Sequence, residues 1–193
     1  MANFIKNSLM TACLQEILED AKEEIILISP SIKLQPWVKE LLSEKEQEQR
    51  VKITLVFGND KDNISQSFSK EDFKFVSGFP NIEIRHETRL RANYYANETK
   101  ALLSSMLLHD IQPNNNTIEF GIQVNQSLMG GITGHTVDSE SWNYFQNVIE
   151  NSNLLYRRVP EFEDKMLGLS KKYIDSETEI DTLSKLLRVR IRK

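Results

Sequence analysis

Cys13 is the only cysteine in 193 residues. No intrachain disulfide can form, and a reducing, cytoplasmic setting is the expectation. Histidine is scarce as well, with only His86, His109 and His135. Neither zinc-ligand spacing nor a Cys-His pair occurs. Asp60-Lys61-Asp62-Asn63 lacks the spacing and closing glutamate of a calcium loop, so no metal is expected there and the stretch reads as a surface turn. The glycines of Met129-Gly130-Gly131-Ile132-Thr133-Gly134 lack the Gly-Lys-Ser/Thr ending of a phosphate loop, and no cofactor is expected. No apolar run reaches the length of a membrane span, and residues 1–20 have no signal-peptide character. The formal net charge is -4. That removes the global basic signature of a nucleic-acid-binding protein without forbidding a local anion site.

What is present is an ordinary globular composition, 39% hydrophobic and 27% charged, long enough to bury a real core. Leu9, Cys13, Leu14, Ile17, Leu18 and Ala21 recur at three- and four-residue steps, which predicts a helix over residues 8–22 with Ser8 as its N-cap. Residues 24–29 read as a buried strand closed by Pro30. Gln35-Pro36 starts a second helix with Trp37, Val38, Leu41 and Leu42 on its apolar face, and the charge run 44–50 reads as its solvated end. Residues 51–57 form another buried strand. Ser69 caps a short helix through Val76, which Gly78 and Pro80 stop.

Residues 82–124 carry the most information. Leu90, Ala92, Tyr94 and Ala96 alternate with Arg91, Asn93, Tyr95 and Asn97, the pattern of a half-buried strand. Asn97-Glu98-Thr99 is a turn, residues 100–108 a second strand, residues 112–116 a loop, and residues 117–124 a third strand with Glu119 among apolar neighbours. Further on, residues 139–156 read as a helix capped around Ser139 and ended by Pro160, with Trp142 in the core. A shorter helix follows over residues 161–173. At the C-terminus Val189 and Ile191 alternate with arginines, as in a basic edge strand or arm.

This order of strand, turn, strand, loop and acidic strand resembles the core of the phospholipase D superfamily over about residues 10–125. That superfamily carries an HxKxxxxD motif, then Gly-Ser and Asn, then Glu one strand later. Here Arg91 stands at the His position, Asn93 at the Lys position and Glu98 at the Asp position. Ser104 and Ser105 occupy the Gly-Ser positions, Leu107 the Asn position, and Glu119 matches the Glu. The resemblance implies a layered α/β sandwich with a mixed sheet flanked by helices. Residues 1–158 would form that domain and residues 159–193 a helical, basic extension. A single motif copy implies a homodimer whose Arg91 residues face across the two-fold axis.

A guanidinium has no lone pair to offer at working pH, so Arg91 cannot replace the nucleophilic histidine. It can hold a phosphate through its planar fork. One reading is therefore a degenerate module that binds phosphate or nucleic acid through Arg91, Asn93, Ser105 and Glu119, aided by Arg85 and Arg89. A second is an atypical phosphodiesterase with His86 or His109 as the displaced nucleophile and Glu98 or Glu119 orienting it. A third is a module that associates with a protein partner.

Overall fold

A computed structural model describes residues 2–58, 64–111, 118–125, 136–165 and 170–188. The strands are β1 (Ala2–Lys6), β2 (Glu24–Ser29), β3 (Lys52–Phe57), β4 (Ile82–His86), β5 (Asn93–Asn97), β6 (Lys100–Ser104), β7 (Phe120–Asn125), β8 (Asn153–Lys165) and β9 (Ser170–Asp181). The helices are α1 (Ser8–Asp20), α2 (Pro36–Glu44), α3 (Ile64–Ser67), α4 (Lys70–Val76), α5 (Val137–Asn151) and α6 (Leu183–Leu186). One nine-stranded sheet runs β1-β7-β6-β5-β2-β3-β4-β8-β9. The pairs β2/β3 and β3/β4 are parallel and the others antiparallel, so the sheet is mixed, with helices on both faces, the expected α/β sandwich.

Strand alternation deals side chains to two layers. Ile25 and Leu27 of β2 join Leu55, Tyr95 and Leu102 beneath Met10, Leu14, Ile17 and Leu18 of α1 and Val38 and Leu42 of α2. Ile26 and Ile28 join Val56, Tyr94, Ala96 and Ala101 beneath Phe145 and Ile149 of α5. Each such aliphatic side chain contributes about 1.5–3 kcal/mol on burial. Central strands covered on both faces need continuous apolar runs, which is why residues 24–29 and 51–57 read so clearly.

Several elements differ from expectation. The strand expected from Leu90 begins at Asn93, and all five of its residues are buried rather than half of them. Its α5-side residues, Tyr94 and Ala96, are covered by a helix some fifty residues on, which local alternation cannot register. The second strand stops at Ser104, and the third starts at Phe120, leaving Glu119 before it. The N-cap of α1 is Asn7, at φ 54, rather than Ser8; asparagine tolerates that left-handed backbone. Ser69 does cap α4, its Oγ accepting from Asp72 N–H at 2.9 Å. The charge run after α2 is not uniformly solvated. Lys45 is buried, its Nζ donating to the carbonyls of Glu19 at 2.7 Å and Ala21 at 3.0 Å, where it satisfies the end of α1.

Helix α5 spans Val137–Asn151 and not residues 139–156, and the helix expected over residues 161–173 is replaced by the β8/β9 ribbon. Residue 158, the expected boundary, lies inside β8, and Pro160 pairs with Ser176 there instead of breaking a helix. Trp142 is partly buried against the α5-side core. The basic tail opens with α6, and Leu183 of that helix and Leu187 just after it are buried. The expected turn at residues 60–63, the loop at 112–116, the glycine segment with His135, and Val189 and Ile191 lie outside the described residues. Among the described residues no helix is long and apolar enough to cross a membrane.

Candidate functional site

Parallel β2, β3 and β4 end at one edge of the sheet, and antiparallel β5 starts there. Ser29 lies opposite Phe57, and Phe57 opposite His86; on the other side Asn93 lies opposite Ser104, and Ser104 opposite Gly121. This row faces the α1/α2 layer. Asn93 is 8% exposed; its Oδ1 accepts from Ser29 Oγ at 2.8 Å and from Tyr95 Oη at 3.4 Å, and its Nδ2 donates to the Ser104 carbonyl at 3.3 Å. Ser104 Oγ accepts from Met106 N–H at 2.9 Å and lies 3.1 Å from the Met106 carbonyl. These groups tie the starts of β5 and the ends of β2 and β6 together.

Arg91 is not on that row. The chain leaves β4 through a turn over residues 87–90, in which Glu87 N–H donates to the Phe57 carbonyl at 3.0 Å and Leu90 N–H to the Glu87 carbonyl at 3.0 Å. Leu90 is the buried anchor of this turn. It sits so close to Gly58 that a Cβ there would meet the Leu90 carbonyl at 3.0 Å and its Cβ at 3.1 Å. Anchoring Leu90 inward leaves Arg89, Arg91 and Ala92 exposed. With Glu87 they line one side of an open cleft of about 570 Å³, whose other side is α5 through Tyr144, Asn147, Val148 and Asn151. Phe145 forms its floor, stacked on Tyr94 at 4.1 Å.

The two arginines differ electrostatically. Arg89 grips Glu87 with two bonds of 2.9 Å, and this pairing, with the Arg89 backbone N–H, pulls the Glu87 carboxyl down to about 2. Arg91 Nη1 instead donates to the carbonyls of Leu90 at 2.7 Å and Thr88 at 3.2 Å. Among the described residues Arg91 makes no ion pair, and its Nε and Nη2 make no hydrogen bond.

The other expected site residues are dispersed. Glu98 sits at the far end of β5, its carboxylate accepting from the N–H groups of Lys22 at 2.9 Å, Glu23 at 3.2 Å and Glu24 at 3.3 Å. Burial raises its pKa, but those donors outweigh burial and hold it below the ordinary carboxylate range. Ser105 and Glu119 do meet, hydroxyl to carboxylate, and Ser105 Oγ also accepts from Phe120 N–H at 3.0 Å. They share the Asn93 edge of the sheet but do not line the cleft. Leu107 precedes a single helical turn containing His109. His109 Nε2 lies 3.4 Å from Asp110 Oδ1. His86 is 4% exposed, packed on Phe57 at 5.0 Å on the α1/α2 side. Arg85 is engaged elsewhere: its Nε bonds Glu83 at 2.9 Å and its Nη1 the carbonyls of Ile149 at 3.1 Å and Ser152 at 3.2 Å, at the C-terminus of α5. Among the described residues no His, Cys, Asp and Glu cluster could hold a metal.

Sequence reading missed the α5 wall. Residues 144, 147, 148 and 151 share one helical face, and the two asparagines there, Asn147 and Asn151, each two residues from a buried apolar residue, are the signal that could have marked a polar wall.

No family profile matches the sequence, and no characterised protein matches it by sequence. The fold has counterparts among solved structures. It is similar to Nuc, a phospholipase D family member from Salmonella typhimurium, with TM-score 0.56 and 9% identity over 80% of this chain and 95% of that one. It is also similar to NucT from Helicobacter pylori, with TM-score 0.53 and 12% identity over 80% and 99% of the two chains. A third is TrmBL2, an archaeal chromatin protein whose structure shows a mode of DNA binding, with TM-score 0.50 and 13% identity; the match covers 80% of this chain and 53% of TrmBL2. The chain thus has a phospholipase D-like fold.

Proposed function

We propose that this chain is a non-catalytic phospholipase D-like module that binds the phosphates of nucleic acid in the cleft between the Glu87–Arg91 turn and α5. The observation that carries this reading is Arg91. Its guanidinium is exposed on the cleft and held in place by carbonyls alone. An arginine oriented by neutral acceptors keeps its full charge and a fixed fork for a phosphate. Asn147 and Asn151 add amide groups, and Tyr144, which is 64% exposed, adds a ring at the rim. DNA binding by TrmBL2, with a similar fold, is consistent with the assignment. In this reading Asn93 and Ser104 serve the scaffold, and Ser105 and Glu119 lie outside the binding cleft. A homodimer would double the site across its axis, which light scattering tests.

The reading with a displaced histidine has less support. His86 is enclosed against Phe57 in the layer opposite the cleft. The experiment is fluorescence anisotropy of labelled single- and double-stranded DNA at two salt concentrations, with phosphodiester hydrolysis followed in parallel. Wild type binds in a salt-sensitive manner without turnover, and Arg91→Ala weakens binding about tenfold and lowers the salt slope by about one. Unchanged binding in Arg91→Ala overturns the assignment, and turnover abolished by His86→Ala or His109→Ala replaces it with an enzyme.

A further inference from the structure

The β8/β9 ribbon carries a register shift between Glu161 and Phe162. Glu161 faces Asp175 while Phe162 faces Tyr173, so Ile174 has no partner across the ribbon and is 58% exposed. A bulge re-aims side chains, and here it brings two aromatic rings together. Phe162 and Tyr173 meet edge to face with centroids 6.1 Å apart. The Arg50 guanidinium, just ahead of β3, lies 5.8 Å from the centre of the Phe162 ring. Lys22, following α1, and Lys171 of β9 complete a cavity of about 290 Å³ around this pair.

Three cations from three separate parts of the chain therefore line one aromatic cavity. None of them makes an ion pair among the described residues, and Glu48, the carboxylate on its wall, is engaged by Lys45 at 3.2 Å. Converging positive charge is relieved by an anion, and the aromatic faces accept a planar ring. The cavity is distinct from the Arg91 cleft. Lys22 and Arg50 flank the starts of β2 and β3, and the cleft lies past the opposite edge of the sheet, about 20 Å away along a six-residue strand.

We propose that this cavity is a second ligand site, for a phosphate group carried on a planar ring: the chemistry of a nucleoside phosphate, either free or within a single strand. Arg50, Lys22 and Lys171 would hold the phosphate, and Phe162 and Tyr173 would stack with the base.

The test is calorimetric titration with adenosine monophosphate, adenosine, inorganic phosphate and a short oligothymidylate. The variants are Arg50→Ala, Lys171→Glu, Phe162→Ala and Arg91→Ala, each checked for an unchanged unfolding midpoint. Adenosine monophosphate or oligothymidylate binds about tenfold more tightly than phosphate or adenosine alone. Arg50→Ala and Lys171→Glu each weaken adenosine monophosphate binding about tenfold, Phe162→Ala erases its advantage over phosphate, and Arg91→Ala lowers only the oligothymidylate binding that the cleft contributes. Measured in Arg91→Ala, where the cleft no longer contributes, preference for the mononucleotide identifies a free nucleotide as the source, and preference for the oligomer a single strand. If neither binds, if adenosine monophosphate binding survives both charge substitutions, or if adenosine monophosphate binding is lost in Arg91→Ala, the cavity is not such a site.

Discussion

Asn93 and Arg91 are two residues apart in the chain yet belong to opposite layers. Asn93 is buried on the α1/α2 side and bonded to Ser29, Tyr95 and Ser104, whereas Arg91 stands exposed toward α5 with carbonyl partners only. The difference comes from where the strand begins. Residues two apart share a face only within a strand, and the turn anchored by Leu90 turns Arg91 away before β5 starts. The polar groups around Asn93 on the enclosed side are satisfied by one another and act as structure. On the α5 side, where solvent reaches, the Arg91 charge stays available.

That contrast yields measurable differences. The largest is expected at Asn93: Asn93→Ala strands the Ser29 hydroxyl and the Ser104 carbonyl and should lower unfolding stability by about 3 kcal/mol in a urea titration. Stability within about 0.5 kcal/mol of wild type would show that the enclosed row is not structural. Arg85 ties the sheet to its covering helix, since it joins Glu83 to the C-terminus of α5. Arg85→Ala should cost about 2 kcal/mol and speed amide exchange in α5 ahead of the rest of the sheet.

Smaller effects belong to the exposed side. Arg89 holds the Glu87 carboxyl at about 2, below the roughly 4.3 of an unperturbed glutamate. The stabilisation is fully present above the ordinary value and is lost as pH falls from there toward about 2. Because Arg89 is exposed, solvent screens the pair and its contribution is small. Arg89→Gln should return the Glu87 titration, followed by NMR of its carboxyl carbon, to the ordinary range. The smallest stability change is expected for Arg91→Ala, within about 0.5 kcal/mol of wild type. A larger loss would make Arg91 a structural residue and erase the contrast with Asn93.

Some of this was legible beforehand. The continuous apolar runs of β2 and β3 marked central strands, Ser69 marked a helix start, and the order of elements around residues 90–124 pointed to the phospholipase D-like sandwich. The ribbon was not legible. Phe162, Tyr173 and Ile174 look amphipathic at either period, and only the pairing of β8 with β9 makes these segments strands. Lys45 was hidden for a similar reason, because its partners are carbonyls of α1, a distant segment.

Residue pattern by itself determined which stretches must be buried, and that the Arg91 guanidinium cannot act as a nucleophile, since both follow from the chemistry of single side chains. Only the tertiary structure decided that Asn93 and Arg91 part company, that Glu98 caps backbone N–H groups at the far edge, and that α5 supplies the second wall of the cleft. Those outcomes depend on contacts between segments remote in the chain, and local periodicity carries no record of them.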